Sequence, residues 1–169
     1  MKQKSEKKKP EPPEVQEKES DSVISRHVYS AMGVGLIPVP FFDFAGVAGI
    51  QLLLIRKLAK IYNVQFSTDI IKNMIGALIG GSAPVSGGQA LSSMLKAVPL
   101  IGQTVGALST SLLSGACTYA LGKLFERHFI EGETFLSLDH GKAKKFYEDM
   151  FKEGMNIAAE IKEQKSKTA

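Results

Sequence analysis

The chain has 169 residues and a mass of 18.3 kDa, and its 21 Lys and Arg against 17 Asp and Glu leave a net charge of only +4. That length suits one domain. A single cysteine excludes a disulfide scaffold, and the modest charge excludes a uniformly basic nucleic-acid binder. The charges gather at the ends: Met1 to Ser22 hold 6 basic and 6 acidic residues, Asp139 to Ala169 hold 7 and 6, and the 116 positions between hold 8 and 5. A mean hydropathy of zero is therefore an average over two polar ends and an apolar middle.

The first 22 residues alternate charge around Pro10, Pro12 and Pro13 and offer little to bury. The entropy of ordering them would go uncompensated, so residues 1–22 are expected to be a disordered, solubilising tail. They lack the short apolar run and small-residue cleavage site of a secretory signal. Cys117, alone in an apolar stretch, reads as a small buried hydrophobe, which fits a reducing, cytoplasm-facing environment.

Residues 23–138 are expected to form an apolar helical domain. From His27 to Ile55 the one formal charge is Asp43, and from Asn73 to Gly122 it is Lys96. The uncharged runs Asn73–Leu95 and Ala97–Gly122, of 23 and 26 residues, both exceed the roughly 20 that cross a hydrocarbon core as a helix. Small residues recur at the spacing that lets helix backbones approach closely: Gly76 and Gly80, then Gly102 and Gly106, then Ala107, Ser111 and Gly115. Two readings follow, insertion or re-entrance into a membrane and a helical bundle packed with Ala and Gly, and the first is favoured.

A hairpin of the two runs turning near Lys96 would put both chain ends on the cytoplasmic side. A span over Leu36–Ile55 would break that rule by placing Arg56, Lys57 and Lys60 opposite the tail. A break at Pro38 and Pro40 avoids the conflict. The segment from Phe41 to Asn63 reads as a helix with a basic C-terminus. Ser67 reads as an N-cap, with Phe66 and Ile71 as its hydrophobic staple. Residues 139–163 are expected to be an amphipathic helix, with Ala143, Phe146, Tyr147, Met150, Gly154, Ile157, Ala158 and Ile161 on one face. Residues 164–169 are expected to be a disordered tail. The fold expected is all-α: apolar helical hairpins with small-residue packing faces, closed by that amphipathic helix.

Patterns that carry chemistry are absent from the sequence. There is no phosphate-cradling G-x-x-x-x-G-K-[ST], no complete dinucleotide fingerprint around Gly33 and Gly35, and no G-x-S-x-G. His27, His128 and His140 are scattered and, with Cys117, give no metal-ligand spacing. No catalytic residue, metal or cofactor is assigned. Asp43 stands out as a carboxylate in an apolar stretch. It reads either as a first-turn residue meeting the positive end of a helix dipole, or functionally as an ion or proton site or as a partner for Arg56 or another basic residue across the fold.

Ile37-Pro38-Val39-Pro40-Phe41-Phe42-Asp43, followed by Ile50-Gln51, Ile55-Arg56, Leu58-Ala59 and Tyr62, resembles the bacterial domain-of-unknown-function family 697. A second stretch is also similar: Leu95-Lys96-x-x-Pro99-Leu100-Ile101-Gly102, then Gly106, then Thr118-Tyr119-Ala120-Leu121-Gly122. The likeness runs roughly from Ser25 to Phe129. Asn63 stands where the family has Gly, and Asn also tolerates the left-handed conformation that ends a helix.

The resemblance implies a membrane-associated helical domain with no established activity, found alone or attached to a small Ras-like GTPase domain. It marks Pro38, Pro40, Asp43, Gln51 and Arg56 as motif residues. The function expected is a non-enzymatic interaction or anchoring module at the bacterial cytoplasmic membrane. Its expected partners are lipid, further copies of itself and a separate small GTPase, without nucleic acid. The alternatives are a channel- or transporter-like homo-oligomer lined by Gly80 to Gly88, and a soluble helical scaffold.

Overall fold

The computed structural model describes residues 12–36, 42–69, 71, 107–132 and 140–168. Within them the protein is all-α, with four helices and no strand: α1 (Pro13–Val34), α2 (Phe42–Ile61), α3 (Ala107–Ile130) and α4 (His140–Thr168). Helix α3 lies at the centre, packed by α1, α2 and α4, and α1 also packs on α2.

Helix α1 starts on Pro13, whose missing N–H costs nothing in a first turn, and the Pro12 carbonyl accepts from Val15 and Gln16. Its buried residues are Ser20, Val23, Ile24, His27, Val28, Ala31 and Met32, the three–four spacing of one helix face. Gln16 Nε2 donates to the Ile61 carbonyl at one end, and Val34 meets Gly46 at the other, so α1 and α2 run antiparallel. Ile24, Leu54, Ile55, Leu58, Ile71, Leu121 and Phe125 are among the fully buried side chains of the core.

Helix α2 ends in a Schellman motif. Asn63 takes φ 56°, its N–H donates to the Lys60 carbonyl, and Val64 N–H donates to the Ala59 carbonyl at 2.7 Å. The left-handed position expected of Asn63 is thus occupied. Beyond it the Ser67 carbonyl accepts from Ile71 N–H, and Phe66 and Ile71 both pack into the core, as a staple would. Helix α3 ends similarly on Gly132, φ 71°.

Helix α4 runs antiparallel to α3 and covers it through Ala143, Tyr147, Phe151, Met155, Ala158 and Ile161. Phe151 and Met155 join the face read from the sequence, while Phe146, Met150 and Ile157 sit at its edge. Glycine makes the approach close. A Cβ on Gly154 would lie 3.0 Å from the Ala116 backbone, and one on Gly115 would lie 2.7 Å from Met32 and 3.3 Å from Ala158.

Three expectations change. Residues 13–22 are not a disordered tail but the opening turns of α1, because Ser20 and Asp21 find polar partners on α3. Residues 164–168 continue α4, where Lys167 pairs with Glu163 at 3.1 Å. Finally, no helix among the described residues is long and apolar enough to cross a membrane. The described part of the 97–122 run belongs to α3, which is sheathed by helices on three sides and carries hydrogen-bonded Ser111 and Thr118 in its interior.

Candidate functional site

Two arrangements hold the chemistry of the described residues: a buried polar seam and one exposed helix face. The seam follows α3. Ser111 Oγ donates to the Met32 carbonyl at 2.7 Å, satisfying an acceptor at the end of α1. Gly35 lies so close to that point that a Cβ would come within 2.9 Å of the Ser111 Cα. Further along, Thr118 Oγ1 donates to the Ser114 carbonyl at 2.7 Å and accepts from Gln51 Nε2 at 3.5 Å.

The seam ends in a charged knot. Glu126 is buried, and its carboxylate accepts from Ser20 Oγ and, at 2.8 Å, from Lys123 Nζ, which also binds Asp21. Tyr62 donates to Ser20 Oγ at 3.3 Å. Burial works against the Lys123 ammonium, but its hydrogen bonds to Asp21 and Glu126 outweigh that and hold its pKa above the ordinary lysine value. Burial pushes the Tyr62 phenol up. Through these bonds the knot ties α1, α2 and α3 together at one junction.

His27 is buried against α2, and its Nδ1–H donates to the Val23 carbonyl at 2.7 Å. Desolvation lowers its pKa; the Val23 bond opposes this, and the nearby Lys57 and Arg26 charges add to it. Burial pushes the Cys117 thiol up, so it stays a neutral, partly buried group facing Tyr147. Between α3 and α4, Tyr119 donates to Glu153 at 2.7 Å and is pushed up to about 12 by burial and that bond. Arg127 lies 4.8 Å above the Phe146 ring. Among the described residues no group of His, Cys, Asp and Glu is placed to hold a metal ion.

The exposed face belongs to α2. Gln51, Leu54, Ile55, Leu58 and Ala59 turn inward, which leaves Gly49, Leu53, Arg56 and Lys60 in a stripe on the opposite side. Leu53 is 53% exposed, and Arg56, Lys57 and Lys60 are exposed beyond it.

The motif residues therefore separate. Gln51 is buried in the seam and Arg56 is exposed. Asp43 is the second residue of α2, the first-turn position expected of it, with its side chain outside the described residues. It cannot pair with Arg56, because thirteen residues of one helix put about 20 Å between them. Gly115 is a packing glycine, and Pro38, Pro40, Gly76, Gly80, Gly102 and Gly106 lie outside the described residues, as does the hairpin near Lys96. Sequence reasoning passed over the Ser20–Tyr62–Lys123–Glu126 knot. The signal available was the Lys123 and Glu126 pair, one turn apart and set at the end of a long uncharged run.

The profile of the family described as "Domain of unknown function (DUF697)" matches residues 2–155, and the chain belongs to that family. The match extends past the Ser25–Phe129 likeness into both ends, so that it takes in all of α1 and the first half of α4. The chain is also 32% identical over 151 residues to a protein of Magnetospirillum gryphiswaldense named magnetosome membrane protein 22, covering 89% of this chain and 77% of that one. No solved structure matches.

Proposed function

We propose that this member of the family works without catalysis, as a helical module that associates with a bacterial cytoplasmic membrane and anchors or presents a partner there. The observation that carries the reading is the 32% identity, across most of both chains, to a protein named for a membrane. The seam supports it from another direction: the buried polar groups described above are committed to one another, so the interior is built for stability and the surface is left for interaction. Bilayer lipid, further copies of the chain and a separate small GTPase are the proposed partners, the last because the family resemblance includes domains linked to such GTPases.

Fractionation of cells producing the full chain tests this. The protein is expected in the membrane pellet at low salt, and washing with high salt and then carbonate reports how it is held. Recovery in the supernatant at low salt overturns the reading.

A further inference from the structure

Helix α2 differs from its neighbours in charge. Helices α1 and α4 mix both signs along their lengths, whereas α2 has its one acid, Asp43, in the first turn, and from Phe44 to Thr68 the chain has three cations, Arg56, Lys57 and Lys60, and no acidic residue. None of the three has an ion-pair partner among the described residues, while Lys123 and Arg127 on α3 are paired with carboxylates. The cations follow directly on an apolar surface. Leu53 is 53% exposed, the half-buried Ile50 is beside it, and Leu36, 51% exposed, sits at the end of α1 where Val34 meets Gly46. A Cβ on Gly49 would meet nothing within 4 Å among the described residues. The stripe Gly49–Leu53–Arg56–Lys60 extends for about 16 Å along α2, apolar at one end and cationic at the other.

From this juxtaposition we infer that the outer face of α2 is a docking surface for an anionic bilayer. Leu53 and its apolar neighbours enter the acyl boundary, and Arg56, Lys57 and Lys60 meet lipid phosphates at headgroup level. Long basic side chains suit that place, since their stems lie along apolar surface while their charges stay in water. The sign of the charge selects the occupant. An unpaired cationic patch is attracted to anionic headgroups by about 1 kcal/mol for each Lys or Arg near the surface. The inference rests on the membrane reading above and adds to it the face and the lipid class.

The test is flotation of the purified full chain with phosphatidylcholine vesicles, with and without phosphatidylglycerol. The variants are R56Q/K57Q/K60Q and L53Q, with K144Q/K145Q on the exposed side of α4 as the control; every substituted residue is exposed. Circular dichroism verifies folding. The wild type is expected to float with the phosphatidylglycerol vesicles and to be released by salt. The triple variant is expected to bind roughly 100-fold more weakly, L53Q about tenfold more weakly, and the control as wild type.

Equal binding by wild type and the triple variant, or loss in the control alone, overturns the inference and leaves the membrane reading standing. So does a wild type that pellets with cell membranes yet ignores both vesicles, which points to a protein receptor. Unchanged vesicle binding with a change of oligomeric state in L53Q reassigns the face to contact between copies. A wild type that neither floats nor fractionates with membranes ends both.

Discussion

Glu126 illustrates how this protein handles charge. A buried carboxylate without partners would cost several kcal/mol, and here Ser20 and Lys123 bind both of its oxygens while Asp21 shares the lysine. His27 solves the same problem by staying neutral. Burial, aided by Lys57 and Arg26, lowers its pKa below the ordinary 6.5, so protons bind the unfolded chain more readily than the folded one. Stability is therefore expected to fall as pH drops through 6.5, and to stop responding once pH is below the depressed folded value. Thermal unfolding across a pH series checks this: His27→Gln should flatten that part of the profile, and an unchanged profile would remove His27 as its source. At this scale the sequence was readable where backbone chemistry is local. Asn63 could be assigned the left-handed position because the need arises within its own turn. The role of Ser20 could not, since its partner Glu126 lies 106 residues away.

The helices depend on where glycine stands. Gly154 and Gly49 both occupy helix interiors, where Ala is favoured by about 1 kcal/mol, yet their surroundings are opposite. A methyl on Gly154 meets the Ala116 backbone at 3.0 Å and would force α3 and α4 apart, whereas one on Gly49 meets none of the described residues within 4 Å. Gly154→Ala is expected to destabilise the fold by about 1 kcal/mol net of propensity, and Gly49→Ala to stabilise it by about 0.5–1 kcal/mol. Urea unfolding of the two variants measures both; a stabilised Gly154→Ala would mean that the α3–α4 seam yields. The face of α4 was legible because eight apolar residues recur at helical spacing over a polar background. The start of α1 was not. Residues 13–22 carry almost nothing apolar, and they are held by the polar contacts of Gln16, Ser20 and Asp21.

At the scale of the molecule, the uncharged middle suggested shelter by lipid, and for its described part the shelter is protein. Helix α3 is apolar on most sides because α1, α2 and α4 surround it, and two of those come from the charged ends of the chain. Of these two, α4 was legible as an amphipathic helix, whereas the first turns of α1 were read as a solvated tail. The orientation conflict posed by Arg56, Lys57 and Lys60 also resolves here. The chain runs along α1 and returns along α2, so its basic end lies beside the start of α1. Removing α4 by ending the chain at Gly132 would uncover the α3 surface that Tyr147, Phe151 and Met155 bury. The shortened protein is expected to lose cooperative unfolding and to aggregate; an unfolding midpoint equal to that of the full chain would show that α4 contributes no stability.

The central place of α3 has a consequence for biosynthesis. A ribosome releases α1 and α2 first, and the surface formed by Ile24, Val28, Leu54 and Leu58 has no α3 to pack on until the long intervening chain has been made, a matter of seconds at ordinary elongation speeds. Throughout that interval the nascent hairpin presents an oily flank to the crowded cell, and a chaperone that shields it raises the yield of finished protein.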